Sequence, residues 1–220
     1  DLNRATINAE KLEKERRKRI EEKQKLYNQF VDQQPEITEE GVLKSLVLDF
    51  DKNSKKVLVE VNPAFVPCLK PHQVDGIRFL FNSTIESVDR LDATEISPGC
   101  ILAHSMGLGK TLQIIVFLHT ILTNELIKEK IKTVLILVPY NVIDNWSAEF
   151  KKWYNLCGIE SNIKIFEMNL CKQNKRQDLL EKWKKKSGIM LVSTKMFVSI
   201  VKLKDKFRQW KNTIEKCLLD

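Results

Sequence analysis

Lys110 and Thr111 follow two glycines in the run His104-Ser105-Met106-Gly107-Leu108-Gly109-Lys110-Thr111. An apolar stretch, Cys100-Ile101-Leu102-Ala103, precedes the run, and a helical pattern over 111–128 follows it. A phosphate-binding loop belongs at such a strand-to-helix turn. Glycines let the backbone wrap a phosphate chain with its N–H groups inward, and the positive end of the next helix adds attraction. In such a loop Lys110 reaches the β- and γ-phosphates, and Thr111 offers its hydroxyl to Mg²⁺. The strict pattern G-x-x-x-x-G-K-[ST] is not met, because His104 stands at the first glycine position. The expected nucleotide site is therefore His104, Ser105, Met106, Gly107, Leu108, Gly109, Lys110 and Thr111. Lys110 and Thr111 are the catalytic pair, Thr111 is the metal contact, and His104 fills the loop.

The elements around the loop alternate. Val74, Ile77, Leu80, Phe81, Ile85 and Val88 recur at helical spacing behind Pro71, which predicts a helix over 71–89. Residues 100–103, 133–138, 163–166 and 189–193 are apolar runs expected to be strands, the second buried on both faces. Helices are expected between them: one carrying Trp146, Phe150 and Trp153 as core residues, a basic one over 174–186, and two short segments to the end. Alternation of this kind gives an α/β fold with a parallel sheet. Before it, Leu46–Phe50 and Val57–Val61 flank an Asn-Ser turn and predict a β-hairpin.

The first 30 residues differ in character. Between Glu10 and Lys25 only Leu12 and Ile20 are apolar, so the long charged helix expected over 5–30 has no face to bury. It reads as a solvated arm, or a bridge to other parts, laced by i,i+4 pairs such as Glu15–Arg19. Glu15-Arg16-Arg17-Lys18-Arg19 also has the look of a nuclear import signal.

Of the 220 residues 43% are hydrophobic and 30% charged, enough apolar material for a core, which excludes wholesale disorder. No apolar run approaches the roughly 18 residues of a membrane span. The five cysteines, Cys68, Cys100, Cys157, Cys171 and Cys217, are widely spaced with no C-x-x-C pair, so neither a disulfide framework nor a zinc site is indicated. The net charge of +8 is uneven: residues 151–220 carry seventeen basic and seven acidic side chains, against eleven and sixteen in 31–150. A basic C-terminal third points to a polyanion.

Ile101 to Gln113, with Ala-His-x-Met-Gly-Leu-Gly-Lys-Thr at its centre, resembles the first helicase motif of the sucrose-non-fermenting type chromatin-remodelling ATPases of helicase superfamily two. Most of that family carry Asp-Glu where this chain has His104-Ser105, and the His form is similar to the ATRX branch. Leu69-Lys70-Pro71-His72-Gln73-Val74-Asp75-Gly76, with Gln73 placed 37 residues before Lys110, resembles the family's adenine-recognising Q motif. Leu137 to Trp153 is similar to its motif Ia and the helix after it. The likeness covers about residues 46–220.

The resemblance implies a RecA-like P-loop lobe over 68–220, preceded by a hairpin lead-in at 41–67 and a helical arm and linker at 1–40. It implies ATP with Mg²⁺, double-stranded DNA or nucleosomes as partners, histone-chaperone and heterochromatin proteins by family, no membrane, and a nuclear location. Gln73 joins the nucleotide site: its amide has one acceptor and two donors and can pair with both N6–H₂ and N7 of adenine, selecting ATP over GTP. The candidate DNA contacts are Pro139, Tyr140 and Asn141 at motif Ia, and Ser193, Thr194 and Lys195 at motif Ib. At motif Ib the family usually has Tyr and an acid at the positions of Thr194 and Lys195.

No Asp-Glu dipeptide occurs in the 220 residues, although the family's hydrolysis site needs one in Asp-Glu-x-His. Leu46-Val47-Leu48-Asp49-Phe50-Asp51 has an apolar run followed by acids, but it lies on the hairpin and reads as structural. The lobe is therefore expected to be incomplete, a piece of a DNA translocase that is inactive alone. The alternative is a non-hydrolysing nucleotide- or DNA-binding module on the same scaffold.

Overall fold

The computed structural model describes residues 2–33, 43–92 and 99–203. Residues 1–120 and 121–220 form two compact units.

In the first unit, helix α1 (Leu2–Gln33) precedes strands β1 (Val47–Phe50) and β2 (Val57–Glu60), which pair antiparallel as the expected hairpin. Asp51 makes the turn. Its carboxylate accepts the backbone N–H groups of Ser54 at 2.5 Å and Asn53 at 3.1 Å, and hydrogen bonding, chiefly to Ser54, holds its pKa below the ordinary carboxylate value. Helix α2 (Pro71–Thr84) stops short of the expected residue 89. The Thr84 hydroxyl donates back to the Leu80 carbonyl, and Glu86 takes a left-handed φ of 66°, which no continuing helix allows.

The charged helix is docked, contrary to the solvated arm expected from its composition. The Lys23 ammonium lies 3.0 Å from Asp49 Oδ1 and donates to the carbonyls of Leu48 and Glu86, while Arg19 forks onto the Glu86 carboxylate at 2.7 and 3.2 Å. Arg78 on α2 bonds the Tyr27 hydroxyl and lies over the Tyr27 ring. A helix with few apolar residues can thus bind by charged tips whose stems pack. Within α1, Arg16 and Arg17 both bond Glu13, holding its carboxyl down at about 2. Arg19, expected to pair with Glu15 in its own helix, bonds Glu86, 67 residues away.

Cys100–Ala103 is not a strand. It joins no ladder among the described residues, and Ile101 is 85% exposed. An apolar run becomes a strand only where a neighbour meets its N–H and C=O groups. Helix α3 (Lys110–Thr123) begins at the loop and ends before the expected residue 128, because Asn124 Oδ1 takes the N–H groups of Leu126 and Ile127 into a turn.

The second unit holds a parallel sheet in the order β3 (Thr133–Val138), β5 (Gly188–Ser193), β4 (Ile165–Glu167). Helices α4 (Ile143–Leu156) and α5 (Arg176–Lys186) are the crossovers, and α6 (Thr194–Leu203) follows β5 directly. The β5 strand is buried throughout, as a central parallel strand should be. Met190 and Val192 pack with Phe166, Met168, Leu180, Trp183 and Ile200. On α4, Phe150 is fully buried, while Trp146 and Trp153 are only half-buried. The second of the two short C-terminal helical segments lies outside the described residues.

Candidate nucleotide-binding site

The start of α2 and the loop before α3 meet within the first unit. Lys70 is the extended N-cap residue of α2 and Pro71 its first helical residue. Gln73 sits at the third helical position, where its Oε1 accepts the Lys70 N–H at 2.9 Å. That bond orients the amide, and Nε2 donates to the Leu108 carbonyl at 3.3 Å. Gln73 is 6% exposed, so its amide is held against the loop and is not an open surface group.

The loop has the backbone its glycines allow. Gly107 and Gly109 have φ values of 85° and 73°. The positive φ of Gly109 favours glycine, and a Cβ there, 2.3 Å from Gln73 Nε2, would also displace that amide. Lys110 turns its ammonium back onto the loop, 2.6 Å from the His104 carbonyl and 3.0 Å from the Ser105 carbonyl. Thr111 stands beside it in the first turn of α3, half-buried, and Met106 is 95% exposed. His104 is half-buried, with Nδ1 3.2 Å from Gln113 Nε2 and its ring edge-on to His72 at 6.0 Å.

These contacts bring the expected residues Gln73, His104, Ser105, Leu108, Gly109 and Lys110 together. They add two side chains that the sequence reading passed over. His72 Nε2 lies 3.2 Å from the Leu108 carbonyl, and Gln113 Nε2 lies 3.3 Å from the same oxygen. Gln113 falls inside the motif quoted above, and helical spacing from Lys110 signals that it faces back towards the loop. An ammonium free to exchange loop carbonyls for phosphate oxygens, beside a hydroxyl at a helix start, fits a nucleotide phosphate chain and its Mg²⁺. Among the described residues no group of three or more His, Cys, Asp or Glu could hold a metal by itself.

The second unit places the other expected residues. The parallel register sets Val138 beside Ser193, so Pro139–Asn141 and Thr194–Lys195 leave the sheet side by side at its C-terminal edge. Pro139, Tyr140, Asn141, Thr194 and Lys195 are exposed, Tyr140 by 71%. Ser193 differs. It is 1% exposed, its hydroxyl accepts from Asn169 Nδ2 at 2.9 Å and from the Met196 N–H, and its N–H donates to Asn169 Oδ1.

The model of the SNF2-related domain matches residues 20–220. The chain belongs to the SNF2-related family. That family comprises chromatin-remodelling ATPases. Among similar proteins, the transcriptional regulator ATRX homolog of Drosophila melanogaster is 37% identical over 199 residues, covering 90% of this chain and 15% of that protein. The ATRX homolog of Caenorhabditis elegans is 50% identical over 165 residues, 69% of this chain and 12% of the relative. ATRX of Homo sapiens is 38% identical over 183 residues, 81% of this chain and 7% of the relative. The chain thus spans a small part of the SNF2 relatives it matches.

Proposed function

We propose that this chain is the ATP-binding part of an ATP-dependent DNA translocase that remodels chromatin, in the manner of its ATRX-like relatives. The observation that carries this reading is the bond from Gln73 Nε2, at the start of α2, to the Leu108 carbonyl of the loop 104–111 at 3.3 Å. It joins Gln73 to the glycine loop across 35 residues, which supports a reading in which Gln73 meets the base while the loop holds the phosphates. Lys110 leaves the carbonyls of His104 and Ser105 to bind the β- and γ-phosphates, and Gln73 gives its amide to adenine. Thr111 holds Mg²⁺ by its hydroxyl; the ion, when bound, offsets the phosphate charge. Residues 105–109 present backbone N–H groups around the phosphates.

The exposed edge formed by Pro139, Tyr140, Asn141, Thr194 and Lys195 contacts the phosphate backbone of duplex DNA, by backbone N–H groups and the lysine. Ser193 is assigned the job of holding that edge in place through Asn169, not of touching DNA itself. Chromatin is the substrate, the nucleus the location, and histone-chaperone and heterochromatin proteins the further partners, as the ATRX relatives suggest. Within Glu15–Arg19, Arg16 and Arg17 bond Glu13 and Arg19 bonds Glu86, while the side chains of Arg17 and Lys18 stay exposed to an import receptor.

Hydrolysis requires a carboxylate pair that these 220 residues do not supply as Asp-Glu, so the chain by itself is expected to bind ATP without turning it over. The test uses the full-length product of the gene. DNA-stimulated phosphate release and displacement of a triplex-forming strand are expected, and Lys110→Ala should abolish both. Full-length protein that hydrolyses ATP equally well with Lys110→Ala, or that ignores DNA, would overturn the reading.

A further inference from the structure

Gln113 is wholly buried, yet half of its amide is unmet. Its Nε2 faces two acceptors, the Leu108 carbonyl at 3.3 Å and His104 Nδ1 at 3.2 Å. Its Oε1 is buried with no hydrogen-bond partner among the described residues. That oxygen fills the space beside Gly76 in α2, where an added Cβ would lie 1.8 Å from it. A leucine would occupy the same volume without stranding an acceptor, and stranded buried acceptors are costly. What glutamine adds is two N–H donors aimed at the loop.

Those donors have a definite consequence. Only an NH₂ can face a carbonyl, so the Leu108 contact fixes which end of the amide points at the loop. The same NH₂ then faces His104 Nδ1, and only a bare nitrogen can accept from it. The proton of a neutral His104 is thereby placed on Nε2. The Leu108 carbonyl, meanwhile, is approached by three side chains, His72, Gln73 and Gln113, and has two lone pairs. One donor is surplus, so Gln73 can leave for a base while the loop stays held.

We propose that Gln113 is a positioning residue of the nucleotide site: it fixes the tautomer of His104 and keeps the Leu108 carbonyl tethered when Gln73 turns to adenine, and Gly76 is the gap that admits it. The proposal rests on the nucleotide-binding reading above.

The two parts of the proposal have separate readouts in the 220-residue protein. The first is imidazole ¹⁵N NMR of the three histidines, with His104 assigned by the signals lost in His104→Gln. The free protein should show His104 with a bare Nδ1. Gln113→Glu, whose ionised carboxylate can only accept, should move the proton to Nδ1 at a pH where that carboxylate is charged. An unchanged His104 tautomer in Gln113→Glu overturns the first part. The second readout is titration with a fluorescent ATP analogue. Gln113→Met and Gly76→Ala should each weaken binding about tenfold, the size of one lost hydrogen bond to a buried partner. The double variant should be no weaker than the worse single one, because both displace the same amide. Wild-type affinity in Gln113→Met, or effects that multiply, overturns the second part; Gln113→Met keeps the test alive should Gly76→Ala unfold. If the unaltered protein binds no ATP, the nucleotide reading falls and takes the second part with it, while the NMR result still decides the first.

Discussion

His119 on α3 is 4% exposed and edge-on to Phe65 at 5.2 Å, and burial pushes its pKa from 6.5 down to about 4. Between those values the unfolded chain takes up a proton that the folded chain refuses, so folding stability is lost as pH falls from 6.5 towards 4. Urea unfolding at pH 7, 6 and 5 should show this decline, and His119→Phe should flatten it. Equal pH dependence in both proteins would show that His119 is not its source. The position of His119 in an apolar helical pattern suits a core residue, but its charge state is set by the fold. Lys110 and the glycines around it are legible from sequence because a phosphate loop is a local device: its parts are consecutive, and each residue type has one job. His72 and Gln113 are less legible because they act through Leu108, 36 residues from one of them and 5 from the other. No periodicity announces a carbonyl as a meeting point.

At the scale of elements, the alternation of strands and helices in 133–193 is readable because strands of a parallel sheet are apolar runs of the right length, but β3, expected to be buried on both faces, is a half-buried edge strand with Leu137 42% exposed; the central strand is β5. The ends of elements were not. Helices α2 and α3 stop where Thr84 and Asn124 bond their own backbone, a competition that apolar spacing does not register. Residues 100–103 have the composition of a strand but no ladder, because strand identity depends on a partner elsewhere in the chain. The docking of α1 was hidden for a related reason. Composition shows that the helix lacks an apolar face; it does not show that Asp49 and Glu86 await its cations. Asp49 is 3% exposed, with Oδ1 on Lys23 and Oδ2 accepting the Val88 N–H at 2.7 Å. Burial lowers the Lys23 pKa, and Asp49 opposes the shift. Removing one partner of a buried pair strands the other, so Asp49→Ala should cost about 3–5 kcal/mol in urea unfolding. Replacing both, Lys23→Met with Asp49→Leu, should recover most of that. A double variant as unstable as the single one would show that the pair itself is not what Asp49 serves.

At the scale of the whole molecule, the uneven charge seen in the sequence becomes a surface. Lys172, Lys175, Lys182, Lys184, Lys185 and Lys186 on and before α5 are all exposed in the second unit, which also carries the Pro139 and Thr194 edge. Such a surface should bind duplex DNA through phosphates alone. Affinity for unrelated duplexes should be similar, and a plot of log affinity against log salt should have a slope of roughly −3 to −5, for a handful of neutralised phosphates. Flat salt dependence, or strong preference for one sequence, would contradict this.

The proposed function requires that the 220 residues form an adenine-nucleotide site with Gln73 reading the base and Lys110 holding the phosphates. Competition of ATP and GTP for the fluorescent ATP analogue tests it most directly. The unaltered protein should prefer ATP. Lys110→Ala should weaken both nucleotides alike, and Gln73→Ala should narrow the ATP-over-GTP preference by roughly tenfold, since an unpaired buried donor or acceptor costs about 1–3 kcal/mol and 1.4 kcal/mol is a factor of ten. An ATP/GTP ratio that Gln73→Ala leaves unchanged, or ATP affinity that survives Lys110→Ala, would contradict it.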